Sequence, residues 1–144
     1  MSEDGRIRDP RVLEGHRREV DYAEKYFDYT GLVEADAKVA ANLVEIVRRI
    51  GEGYRLPESL YRNGIDLDDD PLLDEHGIKH IHLHEDFDVD VLLFFIEYRD
   101  FVLFLSVDGH KQHFWEPEGS VLRSVHESAI RYADAKAAKL RDHQ

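Results

Sequence analysis

Residues 79–114 decide the fold, and they read KHIHLHEDFDVDVLLFFIEYRDFVLFLSVDGHKQHF. Two apolar runs, at 91–98 and 101–107, are separated only by the dipeptide 99–100. So short a connection forces the two strands into an antiparallel hairpin. A third strand, at 78–84, precedes them across an acidic connector. The stretch therefore predicts an antiparallel sheet whose middle strand is apolar on both faces and is covered on both sides.

Five of the nine histidines lie in this stretch. Successive side chains of a strand point to opposite faces of a sheet. His80, His82 and His84 are therefore predicted to share one face of the first strand, while Ile81 and Leu83 share the other. We expect one apolar face and one face lined with imidazole.

Helices are predicted before and after the strands along the chain. Apolar and aromatic residues recur at intervals of three and four in 11–29 and in 33–50, and glycines follow both segments. These two segments are predicted to form a helical hairpin. A last helix is expected from Val121 to about Leu140, with Ser120 as its N-cap. Its predicted buried residues are Val121, Leu122, Val125, Ala129, Ile130 and Ala133.

The segment 54–77 has no sustained periodicity and contains two prolines and an Asn-Gly pair, so it is predicted to be a long irregular acidic loop. Residues 1–10 are expected to be a flexible N-terminus. No repeat or linker divides the 144 residues, which predicts a single domain over 1–144. The predicted fold class is α+β: an N-terminal helical hairpin packed on a small antiparallel sheet, with a C-terminal helix.

The composition excludes several classes of protein. The chain has no cysteine, which removes disulfides, thiolate metal sites and thiol nucleophiles. The N-terminus has no apolar signal core, and the longest apolar run, 91–96, is far shorter than the ~18 residues of a membrane span. We expect a cytoplasmic protein with no membrane partner.

The net charge of -12 is unevenly distributed along the chain. Between Asp66 and Asp90 ten acidic residues stand against Lys79 alone, which gives -9. Proteins that bind nucleic acid by themselves usually present a concentrated basic surface, because affinity comes largely from neutralising phosphates. No DNA is therefore expected as a partner of the chain alone.

General acid and base catalysis is the chemistry that these residue types favour. A neutral histidine gives or takes a proton near physiological pH, and His110 follows Gly109 directly after a strand. Arg99, Lys79 and Lys111 could stabilise a developing negative charge. The chain shows no serine-histidine-acid motif, glycine-rich phosphate loop or nucleotide fingerprint.

The order of helices and strands, with three sequence motifs, resembles the RelE/ParE toxin superfamily over roughly residues 35–115. The motifs are the His-Ile-His-Leu of 80–83, the apolar strand ending in Tyr98, and Gly109-His110-Lys111-Gln112-His113-Phe114. The segment Leu56-Pro57-Glu58-Ser59-Leu60 is similar to the loop that precedes the His-Ile-His-Leu strand in the YafO type. Within the superfamily the chain is most similar to the YafO and YafQ types.

The resemblance implies a ribosome-dependent messenger-RNA endonuclease that is the toxin of a toxin-antitoxin pair. His110 would act on the proton of the attacking 2'-hydroxyl or on the leaving oxygen, assisted by His82 or His80. The implied catalytic set is His110, His82, His80, Arg99 and Lys111, and the implied substrate-binding residues are Phe114, His113 and Tyr98. The implied partners are an antitoxin, the ribosome and messenger RNA, and no cofactor is expected.

Two other functions remain open from the residues alone. A non-catalytic, immunity-like protein could use the acidic segment from Asp66 to Asp90 against a basic protein partner. A metal-binding protein could use His80, His82 and His84 together with a histidine after the last strand, His110 or His113. The aspartate cluster at 66–70 lacks the central glycine and terminal glutamate of an EF-hand loop, so calcium is not expected.

Overall fold

The computed structural model describes residues 4–61, 71–84, 86, 89–109, 115–116, 119–120 and 124–142. The elements in chain order are β1 (Glu19–Tyr22), α1 (Leu32–Ala35), α2 (Ala37–Glu52), a 3-10 turn (Glu58–Tyr61), α3 (Pro71–His76), β2 (Ile78–His82), β3 (Leu92–Glu97), β4 (Phe101–Asp108), β5 (Trp115–Glu116), β6 (Gly119–Ser120) and α4 (Ser124–Asp142). The predicted α+β class is confirmed. No helix in this described part of the chain is long and apolar enough to cross a membrane.

The main sheet has the strand order β1-β4-β3-β2. The predicted antiparallel strands are confirmed, and the two-residue turn between β3 and β4 is closed by a 2.9 Å hydrogen bond from Tyr98 N to Phe101 O. The fourth strand was not predicted. It runs parallel to β4, so the sheet is mixed rather than purely antiparallel.

The helix predicted over 11–29 is wrong, because this segment contains β1 and otherwise irregular backbone. Glu19 N donates to Asp100 O and Ala23 N donates to Phe104 O, so the segment provides hydrogen-bond partners for the backbone groups along the open edge of β4. An unpaired strand edge leaves a row of backbone donors and acceptors unsatisfied. Pairing with β4 therefore outweighs the weak helical spacing of the aromatic residues.

The chain before β1 also lies against the sheet. Ile7 N donates to Glu97 O at 2.8 Å, and Arg6 forms an isolated antiparallel bridge with Tyr98. This segment continues the line of β2 along the same edge of β3. The flexibility expected of residues 1–10 stays a prediction, but from Arg6 onward the chain has partners on the sheet.

The second helix of the predicted hairpin is present as the short α1 followed by α2. The Asp36 side chain accepts from Lys38 N at 2.9 Å and caps α2. The helix ends at Gly53, whose φ of 79° and contact with the His16 backbone leave no room for a β-carbon. Val39, Ile46 and Ile50 are buried against one side of the sheet, called here the α2 face.

Helix α4 covers the opposite side, the α4 face, with Ile130, Ala133 and Ala137 in a core shared with β3 and β4. Coverage on both sides explains why β3 is buried along its full length. The predicted start of this helix is wrong: Ser120 belongs to β6, which pairs with β5, and the helix begins at Ser124. Val121, Leu122 and the side chain of Val125 lie outside the described residues.

The predicted loop at 54–77 contains two short helical elements, so it is less irregular than expected. The 3-10 turn at Glu58–Tyr61 buries Tyr61, and α3 follows at Pro71–His76. Proline fits the first turn of a helix because the amide it lacks would have no partner there. Gly77, with φ 69°, ends α3 in the left-handed conformation that terminates many helices.

Candidate active site

The strand register brings polar side chains together on the α4 face. His80 lies opposite Phe94, which lies opposite Ser106. In the next row His82 lies opposite Leu92, which lies opposite Asp108. Directly opposite residues point to the same face of a sheet, and both Phe94 and Leu92 belong to the core under α4. His80, His82, Ser106 and Asp108 therefore face the same side.

The two imidazoles form a close pair. The ring centroids of His80 and His82 are 5.7 Å apart with the planes at 79°, and the His80 ring also lies 5.9 Å from the ring of Phe94. His82 is buried, while His80 is partly exposed. One imidazole of the pair is therefore open to solvent and the other is held inside the protein.

The row of three imidazoles predicted for β2 contains only two. The strand ends at His82, and His84 lies beyond it. His84 Nδ1 accepts from Asp86 N at 3.0 Å, and its Nε2 lies 3.6 Å from a carboxylate oxygen of Asp36, the cap of α2. Strand alternation stops applying where the strand ends, which is why the prediction fails for His84.

The end of β4 places a buried carboxylate on the face of the imidazole pair, two strand spacings, or about 10 Å, from His82. Ser106 and Asp108 are fully buried. Asp108 Oδ1 accepts from Gly109 N at 2.8 Å. A β-carbon on Gly109 would lie 2.7 Å from Asp90 Oδ2, so only glycine lets the Asp90 carboxylate approach this point. The carboxylates of Asp90 and Asp108 thus both lie near the end of β4. Asp108 stands two residues before His110 in the sequence.

A further histidine, which the sequence analysis missed, comes from α4. His126 is buried in the first turns of the helix, on the side packed against the sheet. Lys136 near the end of the helix contacts Asp21 of β1, and Ser128 and Tyr132 border a groove with Ala23 and Lys25. Glu127 acts electrostatically on His76, just before β2. His126 therefore lies on the α4 face, the face to which His80 and His82 point.

This cluster is suited to proton transfer. It combines a partly exposed imidazole, a buried imidazole and a buried carboxylate on one face. Neutral imidazole accepts a proton, imidazolium donates one, and a neighbouring carboxylate stabilises the charged form. Among the described residues no group of three or more histidine and carboxylate side chains is arranged to hold a metal ion. His110 and His113, the other ligands considered for a metal, lie outside them.

The structure does not bring all the predicted site residues together. Tyr98 and Arg99 lie at the opposite end of β3 from the row of His82, six residues or about 20 Å along the strand. His110, Lys111, His113 and Phe114 lie outside the described residues. His80 and His82 are therefore the two predicted catalytic residues whose proximity the structure establishes.

Lys79, considered above as a stabiliser of negative charge, instead belongs to a buried ion cluster with Glu97 and Arg18. One carboxylate oxygen of Glu97 accepts from Lys79 Nζ, and the other lies 2.5 Å from Arg18 Nη1 and accepts from Leu13 N at 2.8 Å. All three charged side chains are almost fully buried. Burial lowers the pKa of Lys79 below its ordinary value, against the opposing effect of Glu97.

The cluster contains two cations and one carboxylate, so it has one excess positive charge. Backbone carbonyl oxygens, which carry partial negative charge, stabilise that excess. Lys79 Nζ also donates to Arg11 O at 3.0 Å. The Arg18 guanidinium reaches the carbonyls of Tyr98, Leu13 and Ile50, each at 3.4 Å. The Ile50 carbonyl is in the last turn of α2, where the helix dipole favours a positive charge. The cluster therefore joins the N-terminal segment, the end of α2 and two strands.

Tyr98 is part of a second polar network, on the α4 face. Its hydroxyl donates to Asp134 Oδ1 at 2.7 Å, and the Arg6 guanidinium donates to both oxygens of the same carboxylate at 3.0 and 2.6 Å. Burial, together with the Asp134 carboxylate, raises the pKa of Tyr98 well above its ordinary value. The network fixes the N-terminal segment and α4 to the end of β3.

We expect Tyr98→Phe to lower the free energy of unfolding by about 1.5–3 kcal/mol at neutral pH, the usual contribution of a hydrogen bond to a charged group. Above pH about 10 the unfolded chain loses the Tyr98 proton that the native protein keeps, so the stability of the wild type falls as pH rises. The variant should lose stability less steeply there. Urea denaturation between pH 7 and 11 measures both effects.

Tyr26, whose pKa burial raises to about 12, contributes to the same alkaline decline in wild type and variant alike. The difference between the two proteins therefore isolates Tyr98. Equal slopes above pH 10 would show that the native protein does not retain the Tyr98 proton.

Comparisons with protein-family models, with curated proteins and with solved structures found no match to the chain. The functional assignment therefore rests on the geometry and on the sequence pattern.

Proposed function

We propose that the chain is a toxin-like endoribonuclease of the RelE and YafO type, which cleaves messenger RNA on the ribosome and is held inactive by an antitoxin. The observation that carries the proposal is the cluster on the α4 face. There the register places His82 in the same row as Asp108, which stands two residues before His110 in the sequence, and His80 in the row of Ser106.

RNA cleavage requires only the chemistry that this cluster offers. A base removes the proton of a ribose 2'-hydroxyl, and its oxygen forms a new bond to the adjacent phosphorus. The bond from phosphorus to the 5'-oxygen breaks, and an acid donates a proton to that leaving oxygen. The products are a 2',3'-cyclic phosphate and a 5'-hydroxyl. Two imidazoles, one neutral and one protonated, perform both proton transfers.

The charge of the protein disfavours free RNA as a substrate. At least ten of its 19 lysine and arginine side chains form ion pairs with its own carboxylates. The net charge of -12 repels the phosphates of free RNA. The proposal therefore includes presentation of the message by the ribosome, and free RNA is a poor substrate.

Induced expression in a bacterial host tests the proposal. We expect wild type to arrest growth, and His82→Gln and His110→Ala to relieve the arrest at equal protein level. His16→Gln is the matched control, because His16 is exposed and bonds to the Arg99 carbonyl at the far end of the sheet. A wild type that does not arrest growth, or arrest that survives in all variants, would overturn the assignment.

The same ion pairs favour a second candidate function, a non-catalytic protein that binds a basic partner through an acidic surface. Pairing of the basic side chains leaves the carboxylates in excess on the surface. The acidic segment from Asp66 to Asp90 would be the contact, although residues 62–70, 85, 87 and 88 lie outside the described part of the chain. Such binding would weaken with salt and with joint replacement of Asp68, Asp69 and Asp70 by asparagine. Affinity that does not depend on salt would exclude this candidate.

A further inference from the structure

Helix α4 runs in the opposite direction to β4. Near the end of the helix, the Lys136 ammonium lies 4.3 Å from the ring centre of Phe101, the first residue of β4. Two turns earlier, Ser128 borders a groove together with Lys25, which follows β1. Because β1 is parallel to β4, the first half of α4 lies towards the end of β4 that carries Asp108.

The buried part of the candidate active site is closed to a substrate in this structure. Leu92 lies between His82 and Asp108 in one row of the sheet, and it belongs to the same core as Ile130 of α4. Leu92 and Asp108 are fully buried, and His82 is only 7% exposed. His126, in the first half of α4, is also buried. A message can therefore react at His82 only if the α4 face opens.

The two halves of α4 are held to the sheet differently. The charged contacts of Asp134, with the hydroxyl of Tyr98, and of Lys136, with Asp21 of β1, belong to the second half. In the first half, before Asp134, Ile130 is the large apolar side chain that is buried, among those that the structure describes. The second half is thus fixed by hydrogen bonds to charged groups, while packing around Ile130 holds the first half.

We propose that the first half of α4 is a cover that opens away from the sheet to admit RNA to the imidazole pair; this inference rests on the proposed function. The contacts of Asp134 and Lys136 keep the second half in place as the hinge. Burial of one isoleucine side chain favours the closed state about 10- to 150-fold, so roughly 1–10% of the molecules are open. A closed majority lowers the apparent affinity for RNA by the open fraction.

Chemical modification of the histidines tests the cover without any cleavage. Diethylpyrocarbonate reacts with accessible neutral imidazole, and mass spectrometry of the digested protein gives the rate at each histidine. In wild type we expect His80 to react fastest of the three, and His82 and His126 to react only through the open state. Ile130→Ala should accelerate both at least about 10-fold, because loss of a buried isoleucine side chain favours opening by more than that factor. Ile130→Val, which removes one methylene group, should give a smaller acceleration at both.

Ile46→Ala is the matched control. Ile46 is buried in α2 on the other face of the sheet, so the same substitution destabilises the protein without releasing α4. Equal acceleration at His82 in Ile46→Ala would show that the whole domain unfolds, and it would overturn the cover. An unchanged rate at His82 in Ile130→Ala would overturn it as well.

Single-turnover cleavage of ribosome-bound message separates the cover from the nuclease. Ile130→Ala should cleave about 10-fold faster than wild type per folded molecule, since more of the variant is open. Faster modification of His82 and His126 in a protein that leaves the message intact would support the cover and refute the nuclease. Wild-type cleavage that Ile130→Ala does not accelerate would refute the cover alone.

Discussion

Replacement of Glu97 by glutamine is expected to lower the free energy of unfolding by about 3–5 kcal/mol, the usual cost of removing one partner from a buried ion pair. Glu97 is the only carboxylate that contacts Lys79 and Arg18 among the described residues, and its side chain is fully buried. Glutamine keeps the shape but removes the charge. Both cations would then remain in the protein interior with carbonyl oxygens as their partners.

Urea denaturation of the two proteins measures this loss. Glu45→Gln is the control, since Glu45 pairs with Arg48 and Arg49 on the exposed side of α2, and such surface pairs contribute little to stability. We expect a much smaller change there, although these arginines lower the pKa of Glu45 to about 2. A Glu97→Gln protein as stable as Glu45→Gln would contradict the view that this cluster holds the N-terminal segment to the sheet.

Substitution of either histidine of the pair should nearly abolish catalysis. We expect His80→Gln and His82→Gln each to reduce the rate of message cleavage about 10²- to 10⁴-fold, the usual contribution of a positioned acid or base. The double variant should be little worse than the slower single variant, because groups that act as one unit are not additive. Single-turnover cleavage on a ribosome-message complex measures these rates.

Thermal unfolding of the same variants separates catalysis from folding. His82 is buried, so some loss of stability accompanies its replacement. His80 is partly exposed, and we expect His80→Gln to unfold close to wild type. A folded His80→Gln protein that cleaves at the wild-type rate would remove the imidazole pair from the mechanism.

Short-range sequence signals predict the local part of this fold. The hairpin of β3 and β4 follows from two apolar runs and a two-residue turn, and α2 follows from its apolar spacing and the glycines at its end. Strand β1 was missed because its pairing with β4 joins Glu19 to Phe101, far apart in the chain. Only tertiary contact favours an extended conformation there, and no local pattern reveals it.

The buried ion cluster could have been predicted from the alternation of side chains along β2 and β3. Lys79 shares a strand face with Ile81 and Leu83, and Glu97 shares a face with Leu93 and Phe95. A charged residue on the apolar face of each of two neighbouring strands indicates a buried pair rather than surface charges. The structure places the pair in contact: Lys79 lies opposite Phe95, and its side chain reaches Glu97, two residues further along β3.

Strand alternation also predicted part of the candidate site. Strand alternation found His80 and His82, but His126 was overlooked although it lies four residues before Ile130, on the stripe that continues to Ala133 and Ala137. A histidine on the buried stripe of a helix is a candidate for a site beneath that helix. Which residues of the sheet it faces depends on how α4 packs, which no sequence pattern specifies.

The most direct test of the nuclease assignment is to map the ends of a message after it is incubated with purified ribosomes and the wild-type protein. We predict fragments with 2',3'-cyclic phosphate and 5'-hydroxyl ends, and no cleavage where a single 2'-deoxynucleotide replaces the ribose at the cut site. A message that stays intact, or that is cut equally well at the deoxynucleotide, would contradict proton transfer by the imidazole cluster as the basis of function.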